Sequence, residues 1–164
     1  MLFRSEVLLD YASKNNIILD VNGKCSKHGH NPLLYSCKSN NTKLVKLLID
    51  YANKNNIILE INEKCKHGNY PLNAACEHNN IEIINLIIDY ANKNNIILEM
   101  NGKDINGDYP LLNAYNNNNI EIAKILIDYA NKNSITLDFD ESDISITCSE
   151  IIELLKNPTN NELI

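Results

Sequence analysis

Residues 89–98 read Asp89-Tyr90-Ala91-Asn92-Lys93-Asn94-Asn95-Ile96-Ile97-Leu98, and the ten residues from Asp50 repeat them without a change. Near-copies begin at Asp10 and Asp128, so the chain repeats itself at intervals of 40, 39 and 39 residues. A period in this range marks one supersecondary unit copied and stacked, each copy burying its apolar face against its neighbours.

Working outward from that stretch, other residues recur in phase. Pro32, Pro71 and Pro110 each follow a glycine by three residues: Gly29, Gly68 and Gly107. Glycine supplies the positive φ of a tight turn, and proline at the first helical position gives up no hydrogen bond. A short helix is therefore predicted from each proline, with small residues at Ala74 and Ala75 admitting a close neighbour. An Asn-Asn pair follows in every copy: Asn40 and Asn41, Asn79 and Asn80, Asn118 and Asn119. The first Asn suits the left-handed end of one helix and the second caps the next. That second helix is apolar over a broad face, as in Ile81, Ile83, Ile84, Leu86, Ile87 and Ile88, and is expected to stop near Asn55, Asn94 or Asn133. The alternation Leu59-Glu60-Ile61-Asn62 then predicts an extended return with one face inward.

These residues resemble the ankyrin-repeat family. The likeness runs through Gly68 to Ala75 and Asn79 to Ile88 and covers Leu2 to about Leu137. It implies an all-α, ankyrin-like helical solenoid with about three full repeats between two half-repeats. The expected divisions of this single domain are 1–22, 23–62, 63–101, 102–140 and a C-terminal cap at 141–164. The sequence departs from the family's T-P-L-H-x-A pattern. Asn31, Tyr70 and Tyr109 take the Thr position and Leu34, Asn73 and Leu112 the His position, so amide or apolar packing must replace the usual hydrogen bonds. The residues beyond the family's usual period map to the stretch after Asp-Tyr-Ala and are expected to lengthen the second helix and its return. In the first, partial copy, Arg4 and Ser5 stand where Ile83 and Ile84 would be, and one face there meets water. At the other end Ile146 and Ser149 replace the turn glycine and proline; Ser149 is read as capping a last helix, Glu150 to Lys156.

Composition narrows the function. A net charge of −6 over 164 residues argues against nucleic acid, which takes clustered Lys and Arg. No apolar run approaches the roughly 20 residues of a membrane helix, and no signal peptide is read at the start. Five cysteines without CxxC pairs suggest reduced thiols in a cytosolic or nuclear protein. The asparagine runs, taken with abundant Ile and Lys, carry no functional weight as composition.

Cys25, His28, His30, Cys65 and His67 crowd two turns, but the third has Asp104, Asn106 and Asp108, so no ligand set repeats. Stacked helices about 8 to 10 Å apart also exceed the roughly 4.4 to 6.8 Å between disulfide α-carbons. Cys37 and Cys76 read as compact hydrophobes, and His78 lies on another helix face from Cys76. The acidic run Asp138, Asp140, Glu141, Asp143 lacks the glycine of a calcium loop. The Asn40-Asn41-Thr42 sequon matters only in a secreted protein. No common catalytic motif is present. The chain is read as non-catalytic, without cofactor or metal.

The Tyr of each Asp-Tyr-Ala is expected to pack the end of the second helix against the next unit. Residues that vary while this frame stays constant are the candidates for recognition: Ser26, Lys27, His28, His30 and Lys38; Lys66, His67, Asn69, Glu77 and His78; Ile105, Asn106, Asp108, Asn116 and Asn117. The resemblance places them on turn tips and the concave helix face. They grade from basic to acidic along the array and hold all four histidines. The expectation is a monomeric module that binds another protein, with a structural spacer or part of a longer array as the alternative. A metal- or redox-responsive protein using the turn Cys and His ranks below both.

Overall fold

The computed structural model describes residues 2–138. It has seven helices: α1 (Leu2–Lys14), α2 (Pro32–Lys38), α3 (Thr42–Lys54), α4 (Pro71–Glu77), α5 (Ile81–Lys93), α6 (Pro110–Asn116) and α7 (Ile120–Lys132). No strand occurs among the described residues. The C-terminal cap read at Glu150 to Lys156, and the acidic run beyond Asp138, lie outside them.

Local chemistry sets each boundary. Pro32, Pro71 and Pro110 open the short helices α2, α4 and α6. In each Asn-Asn pair the first residue is left-handed, with φ of 51°, 57° and 51° at Asn40, Asn79 and Asn118. The second accepts a hydrogen bond through its side chain, from Leu44 N at 3.0 Å, Ile83 N at 2.9 Å and Ile122 N at 2.9 Å. Each such cap adds about 1 kcal/mol. The pairs also bond between units: Asn80 Nδ2 donates to Asn40 Oδ1 at 2.6 Å and Asn119 Nδ2 to Asn79 Oδ1 at 2.7 Å. At the far ends of α3, α5 and α7, Asn55, Asn94 and Asn133 cap the helix and donate to the carbonyls of Tyr51, Tyr90 and Tyr129.

The helices form two layers. The short helices α2, α4 and α6 pack side by side in one, and α1, α3, α5 and α7 follow one another in the other. The core lies between the layers and between units. Ile83, Ile84, Ile122 and Ala123 are fully buried, as are Ala74, Ala75 and Ala114, whose small side chains let the short helices close on each other.

The family's Thr position resolves in two ways. Asn31 caps α2, its Oδ1 accepting from Leu34 N at 2.8 Å. Tyr70 and Tyr109 make no cap bond and are instead buried, with Lys64 and Lys103 placing their ammonium groups 5.6 and 5.4 Å from the ring centres.

Of the Asp-Tyr-Ala tyrosines, Tyr51, Tyr90 and Tyr129 are buried in the core, and the hydroxyl of each also reaches back into the preceding return. Tyr51 Oη donates to Ile17 O and accepts from Leu19 N, both at 3.0 Å. Tyr90 does the same with Ile57 O at 3.3 Å and Leu59 N at 2.9 Å, and Tyr129 with Ile96 O at 3.4 Å and Leu98 N at 3.1 Å. In the two middle returns, and in the last one at 136 and 138, an asparagine amide holds the opposite edge. Asn22 donates to Ile58 O at 2.8 Å and accepts from Glu60 N at 3.1 Å. Asn62 pairs likewise with Ile97 O and Glu99 N, and Asn101 with Thr136 O and Asp138 N. Each middle return is thus an extended segment on which side chains stand in for neighbouring strands, one hydroxyl and one amide, each acting as donor and acceptor together. Asn22, Asn62 and Asn101 thus have a structural use at successive units.

Two stability outcomes follow. Ile84→Ala removes a fully buried side chain from the middle unit and should cost about 2 to 5 kcal/mol in denaturant unfolding. Tyr90→Phe strands a buried amide and should cost about 1 to 3 kcal/mol, whereas Tyr11→Phe, at an exposed tyrosine without a partner among the described residues, should leave the midpoint of dilute protein unchanged.

Candidate protein-binding surface

Three turns precede α2, α4 and α6. Each is closed by a pair of backbone bonds: Cys25 N to His30 O and Gly29 N to Cys25 O; Cys65 N to Asn69 O and Gly68 N to Cys65 O; Asp104 N to Asp108 O and Gly107 N to Asp104 O. The first turn is one residue longer, which accounts for the 40-residue interval. The tips are tied to each other, Lys66 N donating to His28 O at 3.1 Å and Ile105 N to His67 O at 2.9 Å. Gly68 sits where they approach most closely. Its φ is +77°, and an added Cβ would lie 3.0 Å from Asp104 Cα. The varying residues are therefore held at fixed spacing by backbone.

On the first two turns the structure brings the basic residues together. The His28 and His30 rings stack at 5.4 Å, and His28 lies 6.0 Å from His67. Lys66 Nζ bonds the Ser26 carbonyl at 2.6 Å, while Lys27 is exposed. Burial, reinforced by the charges of Lys38, His28 and His67, holds the His30 imidazole below its ordinary pKa. Lys38, ending α2, faces Glu77, ending α4, at 4.0 Å. His78 is exposed beside Glu77.

The third turn is acidic. Asp104 Oδ1 accepts from Asn106 N at 2.8 Å and Asp108 N at 3.0 Å. Burial, then the neighbouring Asp104 and Glu77 carboxylates, raise the Asp108 pKa. Ile105 and Asn106 at the tip, and Asn116 and Asn117 at the end of α6, are exposed, Asn117 also donating to Cys76 O at 3.0 Å.

Asn69 departs from its expected place on this stripe. It is only 4% exposed, and its Nδ2 is turned to Glu77 Oε2 at 3.2 Å. It orients Glu77 and is not presented to a partner. Varying among copies, the property by which it was selected, does not separate exposed positions from buried ones facing different neighbours.

The cysteines divide by environment. Cys37 and Cys76 are fully buried, and burial pushes the Cys37 thiol up to about 12 and raises that of Cys76 as well. Such thiols are poor nucleophiles. Cys25 is exposed, its thiol lowered chiefly by the His28 and His30 backbone amides, while Cys65 is buried. All four are free thiols, and among the described residues no group of three His, Cys, Asp or Glu side chains converges as metal ligands would.

A second surface was missed in the sequence reading. At the N-terminal end, Leu8 and Leu9 of α1, Leu19 and Val21 of the first return, Tyr35 of α2 and Leu48 of α3 line an apolar groove of about 560 Å³. Its signal in the sequence was the partial first copy at residues 1–22.

No helix among the described residues is long and apolar enough to cross a membrane. No curated protein matches the chain. A family model described as ankyrin repeats (3 copies) matches residues 6–97. That span is more than half of the chain, and with the stacked helix pairs it shows that the protein belongs to the ankyrin-repeat family, whose members generally serve as protein–protein interaction modules.

Proposed function

We propose that this protein binds another protein through the edge formed by its turn tips and the exposed ends of its short helices, without catalysis of its own. One observation carries the reading. The residues that repeat in every copy are spent on packing and on inter-unit hydrogen bonds, whereas the varying Lys27, His28, Lys66, His67 and His78 are exposed or half-buried, with the His28 and His67 rings 6.0 Å apart. Backbone bonds between tips already fix their spacing, so little ordering entropy is lost when a partner docks.

The charge distribution describes the partner in outline. Its segment opposite the first two turns carries carboxylates, and its segment opposite Asp104 and Asp108 carries cations, so the gradient fixes the direction of docking. The exposed basic side chains make the association sensitive to salt.

Replacing Lys66 and His67 together by Ala should remove the partner captured from native extract by wild-type protein, with both proteins melting at the same temperature. An equal loss of stability in this double variant would assign the pair to the frame. The depressed His30 pKa has its own signature: the folded protein resists protonation there, so this group destabilises it as pH falls through the ordinary histidine range near about 6.5. His30→Gln should flatten the fall in melting temperature between neutral pH and mildly acidic pH.

A further inference from the structure

The returns carry a row of isoleucines that the stack does not bury. Ile18, Ile58 and Ile97 hold one register position in successive copies, and they are 70%, 57% and 57% exposed. The residues that follow the last two, Leu59 and Leu98, are 1% and 2% exposed, so each return turns side chains alternately outward and inward as an extended segment does. The outward positions are also fixed in place. Ile58 O accepts from the Asn22 amide at 2.8 Å and Ile97 O from the Asn62 amide at 2.7 Å, which ties the backbone at each isoleucine to the unit before it. A single exposed apolar side chain is ordinary on a protein surface. One that recurs at the spacing of the units makes an apolar ridge along the array.

Charges flank this ridge in a constant order. The chain enters each return from the end of a long helix, where Lys54 and Lys93 are exposed. It leaves past Glu60 and Glu99, two residues beyond the isoleucine and therefore on the same face of the extended segment. Glu60 is exposed and Glu99 half-buried. Cation, isoleucine and carboxylate thus succeed one another in each unit, and the order repeats along the array. Such a face complements itself. When a second copy is turned about an axis along the array, isoleucine lies on isoleucine and the lysines of each copy lie on the carboxylates of the other. Turned about an axis across the array, lysine would meet lysine. The spacing matches as well, since both copies carry the same repeat.

We propose that two copies of this chain pair side by side through the outward face of their returns, Ile18, Ile58 and Ile97 meeting their counterparts across a two-fold axis that runs along the array. The same patch serves both copies, so the contact is isologous and closes at two. It uses none of the turn-tip residues assigned to a different partner. The monomer expected from sequence becomes the dilute limit of this equilibrium.

Sedimentation of the full chain from micromolar to millimolar concentration tests this. Wild-type mass should rise with concentration from one copy to two and stop there. Replacing Ile58 and Ile97 together by Thr, the residue that Thr136 places at this register in the last return, should weaken association by at least about tenfold and leave the circular dichroism spectrum unchanged. Lys54→Glu and Glu60→Lys should each weaken it by about two- to fivefold. An equimolar mixture of these two variants should pair at least as tightly as wild type, because each new charge then meets its opposite. The Lys66 and His67 double Ala variant should associate as wild type does. Should the double Thr variant fail to fold, the charge variants decide the matter, since Lys54 and Glu60 are both exposed. A wild-type mass that stays at one or passes two overturns the proposal. So does undiminished association of a folded double Thr variant, a mixture of charge variants no tighter than either alone, or loss of association on replacing Lys66 and His67.

Discussion

The returns between helices set the terms for the rest of the structure. An extended segment carries a donor and an acceptor at each residue, and burying them unpaired costs about 1 to 3 kcal/mol apiece. A neighbouring strand would ordinarily satisfy them. Here the strand's place is taken on one edge by the tyrosine hydroxyl of the following unit and on the other by an asparagine amide of the preceding one. Both groups give and accept at once, and both come from fixed register positions, so the bonds form only when successive units stack at one height and one angle.

Seen this way, the division between frame and surface is a division of labour among residue types. Tyr51, Tyr90 and Tyr129, the Asn-Asn pairs and Asn22, Asn62 and Asn101 hold the units in step. The turns hang from that frame with their tips bonded to one another, which leaves Lys27, His67 and Ile105 free to vary without altering the stack. The added residue in the first turn shows how local this freedom is. It shifts the repeat interval by one and leaves Pro32, Asn40 and Tyr51 in the same roles as their counterparts.

What could be read from the sequence was what depends on near neighbours. Proline at the start of α4, left-handed Asn79, the Asn80 cap and the stop at Asn94 each follow from a few consecutive residues, and the structure has them there. The tyrosine and asparagine clasps join atoms 31 to 38 residues apart, and nothing local distinguishes a tyrosine that packs from one that bonds a distant backbone. The burial of Asn69 was hidden for a related reason: whether a turn residue faces solvent or a helix end depends on Glu77, which comes from the end of α4. The groove beside α1 was signalled in the sequence only by the partial first copy, and its shape needed the neighbouring units to be in place.

The amide clasps also carry a chemical clock. Asn22 and Asn101 are each followed by glycine, the neighbour that least hinders a backbone nitrogen from attacking the side-chain amide. That attack expels ammonia and leaves a cyclic imide; when water reopens it to restore the side chain as a carboxylate, the acceptor for Glu60 N or Asp138 N is kept, the donor to Ile58 O or Thr136 O is lost, and a negative charge is set against that carbonyl. Asn62, followed by Glu63, occupies the middle joint. The array would therefore age from its two outer joints inward, with the central pair of units the last to lose its register.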